Sequence, residues 1–189
     1  MLGIPEIYEN ILLASKNVSF GQTCDHKTGF LLKGLAASKP GGRFLELGTG
    51  TGASAAWILN GMDEASHLVT VDIDAKVQGV ARRHLGHDSR ISFRCEDGAC
   101  FIQNNTEQFD FIFADTWPGK FELLDKTIDH LKVGGFYVIH DLFPHASLPE
   151  PYRVQAPKLV SRLQSRGDLV VTEPDWATGL LLAIKMGAD

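Results

Sequence analysis

Residues Leu45-Glu46-Leu47-Gly48-Thr49-Gly50-Thr51-Gly52 constrain this chain more than any other stretch. An apolar run, Arg43 to Leu47, brings a carboxylate to its tip and passes straight into three alternating glycines, and a helix-compatible segment, Ala53 to Leu59, follows. Strand, glycine turn and helix in that order make a place where a nucleotide-like ligand lies against bare backbone. Gly48 and Gly50 allow positive φ and close approach, and Gly52 lets the helix pack near the strand. Glu46 would repel a pyrophosphate over the helix N-terminus but suits a ligand bearing an ammonium and hydroxyls. That chemistry points toward S-adenosylmethionine and away from NAD. The same glycines, with Ala53, also satisfy the looser G-x-G-x-x-G/A dinucleotide pattern, and a tight turn without a ligand would use them too.

Asp72 adds weight to the ligand reading. It ends a second apolar run, Leu68-Val69-Thr70-Val71-Asp72, about 20 residues beyond the glycines, where an acidic side chain accepts from a ribose diol. Further strand-like runs cover Ile91–Cys95, Phe109–Asp115 and Gly135–His140, with helical stretches at Ala53–Leu59, Ala75–Leu85, Ala99–Asn104 and Phe121–Leu131 between them. This alternation predicts a Rossmann-like, doubly wound α/β fold with a mostly parallel sheet. After Tyr152, a helix over Arg153–Arg166 and two strands, Asp168–Thr172 and Gly179–Lys185, joined by a proline-containing turn, predict a closing hairpin and seven strands in all. Ahead of this core (43–189), an apolar pattern through Ile4, Ile7, Ile11 and Leu12 beginning near Pro5, and a second helix from His26 to Ser38, predict an N-terminal helical cap (1–38) that covers the pocket or meets a second subunit as a homodimer.

Ligands in such sheets bind beyond the carboxyl ends of the strands. Those ends carry Glu46, Asp72, Glu96 or Asp97, Asp115, and His140 with Asp141. Asp97 is placed to accept from an adenine amino group, with Gly98 admitting the ring, although Asp-Gly is equally a helix cap or turn. Trp117 walls either cofactor or substrate, or packs half-buried. His140 is a structural histidine or a general base, its ordinary pKa lying near neutrality.

The net charge of −5 gives no attraction for nucleic acid or an anionic membrane, and the basic group Arg82-Arg83-His84 reads as a solvated helix face. No apolar run approaches spanning length and no signal-peptide pattern opens the chain. Three cysteines, Cys24, Cys95 and Cys100, have no metal-ligand spacing and cannot all pair. A single domain in a reducing, cytoplasmic setting is expected.

On Leu45 to Ser54, on Thr70-Val71-Asp72-Ile73-Asp74 and on Phe109 to Trp117, the chain resembles the class I S-adenosylmethionine-dependent methyltransferases, most closely the small O-methyltransferases related to catechol and caffeoyl-CoA O-methyltransferases. The resemblance implies methyl transfer to a hydroxyl of a small-molecule acceptor, with an antiparallel last strand. It implies that Glu46 receives the methionine ammonium, that Gly48, Thr49 and Gly50 pass beneath the cofactor, and that Ser54 holds its amino-acid end. Asp72 would hold the ribose, Ile73, Asp97 and Gly98 the adenine, and Asp115 and Trp117 the meeting point of cofactor and acceptor. His140 is the first candidate base, followed by Asp115 and Asp141.

Departures from the family pattern matter as much. Members commonly hold a divalent ion through Asp115, Asp141 and an asparagine where this chain has Leu142. The family's catalytic lysine position is Pro118, with Lys120 displaced by two residues. No metal is therefore expected to be obligatory. A small-molecule N-methyltransferase, an aminopropyl transferase, an NAD oxidoreductase and a binding module without catalysis stay open as alternatives. The Asx-Pro-Pro-aromatic run of nucleic-acid amino-methylating enzymes does not occur at Asp115-Thr116-Trp117-Pro118.

Overall fold

A computed structural model describes residues 3–142, 150–174 and 178–187. Two helices, α1 (Tyr8–Asn17) and α2 (His26–Ala37), precede an alternating series: β1 (Arg43–Leu47), α3 (Ala53–Gly61), β2 (His67–Asp72), α4 (Ala75–Leu85), β3 (Ile91–Cys95), α5 (Gly98–Asn104), β4 (Phe109–Ala114), α6 (Leu124–Asp129) and β5 (Leu131–His140). Helix α7 (Glu150–Gln164) and strands β6 (Leu169–Thr172) and β7 (Leu180–Lys185) close the chain. The seven strands lie in the order β3-β2-β1-β4-β5-β7-β6. The first five are parallel, and β7 runs antiparallel to both β5 and β6. This is the expected seven-stranded architecture, with the antiparallel strand inserted between β5 and β6. The turn predicted between those last two strands lies partly outside the described residues.

Strand order reverses between β1 and β4, so the connections leave the sheet on opposite faces and open a crevice at the carboxyl ends of these two strands. Side-chain alternation sorts the core into two layers. Phe44, Phe111, Phe113, Val138 and Leu180 face α1, α2 and α3, while Leu45, Leu47, Ile112, Tyr137 and Ile139 face α6 and α7. Glu46 shares parity with Phe44, so its carboxylate enters the first layer. There its register partners are Thr70 on β2 and Phe113 on β4.

Two helices differ from the sequence pattern. Residues 3–7 form turns, with the Tyr8 N–H on the Pro5 carbonyl, so α1 begins three residues after the proline. The helix expected over Phe121–Leu131 shrinks to Leu124–Asp129, because Gly119 (φ +89°) and Leu123 (φ +57°) fold residues 115–123 into a loop and not into a first turn. The freed length at the other end joins β5, which starts at Leu131, earlier than its apolar run suggests.

The N-terminal pair docks closely on α3. Gly29 of α2 faces the fully buried Trp57 of α3, and a Cβ there would sit 2.3 Å from the indole. Ring contacts from Tyr8 and Phe30 complete the seat around Trp57. Replacing Gly29 with alanine should therefore overpack this joint and lower stability by about 1–3 kcal/mol, despite alanine's better helix propensity. Urea unfolding checks this, and a stabilised variant would contradict it.

Candidate active site

Two cavities that share Gly48, Asp72 and Thr116 in their walls occupy the crevice. The larger, about 310 Å³, is walled by the glycine loop, Ser54, Asp115, Trp117, Asp141 and Tyr152, and by Phe20 and Cys24 from the segment joining α1 to α2. The smaller, about 160 Å³, is walled by Ile73, Asp97, Gly98 and Pro118. The N-terminal cap thus forms part of the pocket wall.

The glycine loop is strapped to β2. Gly48 and Thr49 N–H both donate to the Val71 carbonyl (2.9 and 3.1 Å), and Gly50 N–H donates to Asp72 Oδ2 (2.7 Å). Gly48 has φ +102°, and a Cβ on it would lie 3.0 Å from the Asp115 carbonyl oxygen, so any side chain would close the passage between the cavities. Gly52 serves a packing role of another kind: its missing Cβ admits Ala81 of α4, 2.8 Å from where the atom would stand. Asp97 is the helix cap that its sequence context allowed. It caps α5 through the Ala99 and Cys100 N–H groups and borders the smaller cavity, whereas Glu96 lines neither cavity.

Glu46 stands one layer behind the wall. It is fully buried and lines neither cavity. Thr70 Oγ1 donates to its Oε2 (2.5 Å), Ser54 lies beside it, and Thr70 in turn meets Thr49 Oγ1 (2.7 Å). Its other oxygen, Oε1, has no hydrogen-bond partner among the described residues. Burial pushes the carboxyl up to about 8, so at neutral pH it carries a proton. A cation placed beyond Ser54 would favour the ionised form.

On the other side of Gly48 lies a charged cluster. His140 is buried at the end of β5, with Nδ1 3.3 Å from Asp115 Oδ2 and 3.7 Å from Asp141 Oδ1, and with Nε2 3.7 Å from Asp25 Oδ2 and 3.2 Å from Thr178 Oγ1. Burial opposes charge on the ring, but Asp115 and Asp25, with Asp141 behind, reverse that and raise its pKa to about 10. Burial likewise opposes ionisation of Asp115, and the Lys120 and His140 charges outweigh it, holding the carboxyl well below its usual range. Lys120 reaches the cluster from the loop after β4. Its fully buried ammonium donates to Asp115 Oδ1 (3.1 Å), the His140 carbonyl (2.7 Å) and Tyr152 Oη (2.9 Å). Trp117, Phe121 and Tyr152 stack against one another at 4.7–5.6 Å and form an aromatic wall beside it.

The structure thus brings Gly48, Thr49, Gly50, Ser54, Asp72, Asp115, Trp117 and Asp141 to one cavity, and Ile73, Asp97 and Gly98 to its neighbour. Sequence reasoning passed over Asp25 and Tyr152, quoted Thr70 only as part of the β2 run, and named Lys120 only as displaced from the family's lysine position. Asp25 carries a legible signal as the N-cap of α2, accepting from Lys27 and Thr28 N–H, but nothing local shows that its second oxygen turns to His140.

Strand order, antiparallel β7, glycine loop and acidic strand tips together define a Rossmann-like methyltransferase fold. The chain belongs to the methyltransferase domain family, whose model matches residues 45–142. Among curated relatives, a protein of Mycobacterium sp. (strain KMS) provisionally named an O-methyltransferase is 30% identical over 120 residues, covering 59% of this chain and 54% of its own. The chain therefore matches about half the length of such relatives. Rv0187 from MTB, solved with its cofactor bound, superposes with a TM-score of 0.86 at 20% identity over 98% of this chain and 92% of that one. The O-methyltransferase TomG from Streptomyces achromogenes, solved with SAM, gives 0.83 at 19% identity over 96% and 90%. Both likenesses are of fold. No helix among the described residues is long and apolar enough to cross a membrane.

The buried carboxyl of Glu46 has a measurable signature. Its folded pKa lies above the ordinary 4.5, so between pH 4.5 and about 8 the unfolded chain loses this proton first, and stability falls as pH rises through that window. Glu46→Gln should remove this slope and gain on the parent protein toward pH 8. Equal pH dependence of the two melting curves would show that Glu46 is not held neutral.

Proposed function

We propose that this protein is an S-adenosylmethionine-dependent methyltransferase that methylates a hydroxyl of a small-molecule acceptor. The observation that carries the reading is the orphaned, buried Oε1 of Glu46 behind Ser54, beside a Gly48 passage too narrow for a Cβ. Such a site asks for a cationic amino-acid end next to a flat, hydroxylated body, and the residues present fit the group. Glu46 would favour the ammonium through Ser54. Asp72 would take the ribose diol with the lone pairs left by the Gly50 and Asp74 N–H bonds, and Ile73, Asp97 and Gly98 would border the adenine. The names of the relatives and the family assignment support the same reading. Three free cysteines suit a reducing, cytoplasmic compartment.

Bound there, S-adenosylmethionine supplies an electrophilic methyl group that passes from sulfur to the acceptor oxygen. What remains for the protein is alignment and removal of one proton. Trp117 and Tyr152 wall the acceptor side, and Asp141 stands at its floor. His140 is the proton acceptor of this reading, steadied by Asp115 and Asp25. In the resting site it is an imidazolium and must first shed a proton, which a neighbouring positive charge assists.

Calorimetry with S-adenosylmethionine and S-adenosylhomocysteine tests the reading directly. Both should bind, and Asp72→Ala should weaken binding by about 10–100-fold, the worth of a hydrogen bond to a charged group. No heat with either ligand would remove the proposal. For the base, kcat/KM for the acceptor should climb with pH through neutrality, with an apparent pKa at or below about 10. His140→Asn should flatten that climb and slow turnover by about 10²–10⁴-fold. An unaltered pH profile in the variant would assign the proton to another group.

A further inference from the structure

We propose that Lys120 is a built-in cation that stands in for a divalent metal ion, positioning Asp115 and Tyr152 so that methyl transfer runs without added metal. The inference rests on the S-adenosylmethionine reading above and adds the electrostatic means by which the acceptor side is organised.

Resemblance to the small O-methyltransferases implies an ion held by Asp115, Asp141 and the residue that follows. Spacing alone is compatible, since donor atoms of Asp115, His140 and Asp141 all lie within 4.8 Å of one another. The donor chemistry is not. Hard divalent ions take six or more oxygens, and Leu142, at the third ligand position, offers only a buried apolar side chain. Both oxygens of Asp115 already face cationic groups: Oδ1 accepts from Lys120 at 3.1 Å and Oδ2 lies 3.3 Å from His140 Nδ1. A divalent ion on Asp115 would share that carboxylate with a fixed ammonium, and the mutual repulsion in a buried setting opposes it. The residues present do not fit the ion.

Lys120 fits the vacant duty. An ammonium has three N–H donors, and all three are matched: a carboxylate, a backbone carbonyl and a phenol, from the residue after β4, from β5 and from α7 respectively. One further detail holds it there: Tyr137 donates to the Gly119 carbonyl, which pins the loop one residue ahead of the lysine. With every proton committed, Lys120 is a positioning residue and not a swinging base. It keeps Asp115 ionised opposite His140, and it anchors the aromatic wall through Tyr152. A metal organises a vicinal diol by chelation. A buried ammonium behind the wall asks for no second hydroxyl, so a lone hydroxyl suffices as acceptor.

The test combines a metal-binding readout with a variant pair. In the intact protein, with or without S-adenosylhomocysteine, the electron paramagnetic resonance spectrum of Mn²⁺ should stay that of the free ion up to about 1 mM, the weak limit of carboxylate sites. EDTA should leave turnover unchanged. Lys120→Met should lower kcat by about 10²-fold, as misplacement of reacting groups does, while S-adenosylhomocysteine binding persists. Lys120→Arg, which keeps the charge, should recover part of the loss. Tight Mn²⁺ binding by the parent protein, turnover abolished by EDTA, or full activity in Lys120→Met would each overturn the proposal, and the Mn²⁺ result stands even if the methionine variant misfolds. Failure of S-adenosylhomocysteine to bind the parent protein would instead remove the functional reading beneath it.

Discussion

Everything at the crevice depends on how the loop after β1 is tied to its neighbour strand. In five residues the chain must leave the sheet, bare its backbone and enter α3, and it does so on positive φ angles that no packing of its own could maintain. The restraint comes from β2: the Val71 carbonyl takes two N–H groups, Asp72 takes a third, and Thr70 bridges Thr49 to the carboxyl of Glu46. Because Glu46 and Thr70 are register partners, this bridge follows from strand pairing and needs no loop of its own. The acidic residue near the tip of β1 thus also sets the wall from behind.

Much of this was legible in the residues because the signals are local. The glycine spacing, the carboxylates at strand tips and the near-continuous apolar runs of β4 and β5 are short-range patterns, and each reports a strand, a turn or a helix on its own evidence. What escaped is non-local. The helical periodicity over Phe121–Leu131 carries no mark of the positive φ at Leu123, nor of the loop that turns Lys120 inward. The sequence shows Lys120 only as displaced from the family's lysine position, and it is the meeting of the β4 end, β5 and α7 that makes it the most enclosed cation in the described chain. Asp25 shows the same limit: its capping role is written in the next three residues, its contact with an imidazole far along the chain is not.

The charged cluster can be understood as a balance. Asp25, Asp115 and Asp141 converge on the imidazole of His140, and Lys120 compensates Asp115 from behind. Removing one member leaves a buried charge without its partner, which costs more than the pair contributes. The carboxylates come from three separate parts of the chain; Asp115 accepts directional donors from both cations, while Asp25 and Asp141 face the imidazole at 3.7 Å. The charged side chains of such a site already stand in place, fixed by one another before any ligand arrives.

The placement of β7 bears on how the molecule is assembled. Strand β6 touches the sheet only through β7, which comes after it in the chain. During synthesis the glycine loop, β1, β2 and β4 can pair as they emerge, but β6 has no edge to join until β7 follows it and inserts beside β5. Thr178, which contacts the imidazole, arrives with that strand. The half of the crevice walled by the glycine loop, β1, β2 and β4 can thus form ahead of the half around His140, which is completed only when β7 joins β5.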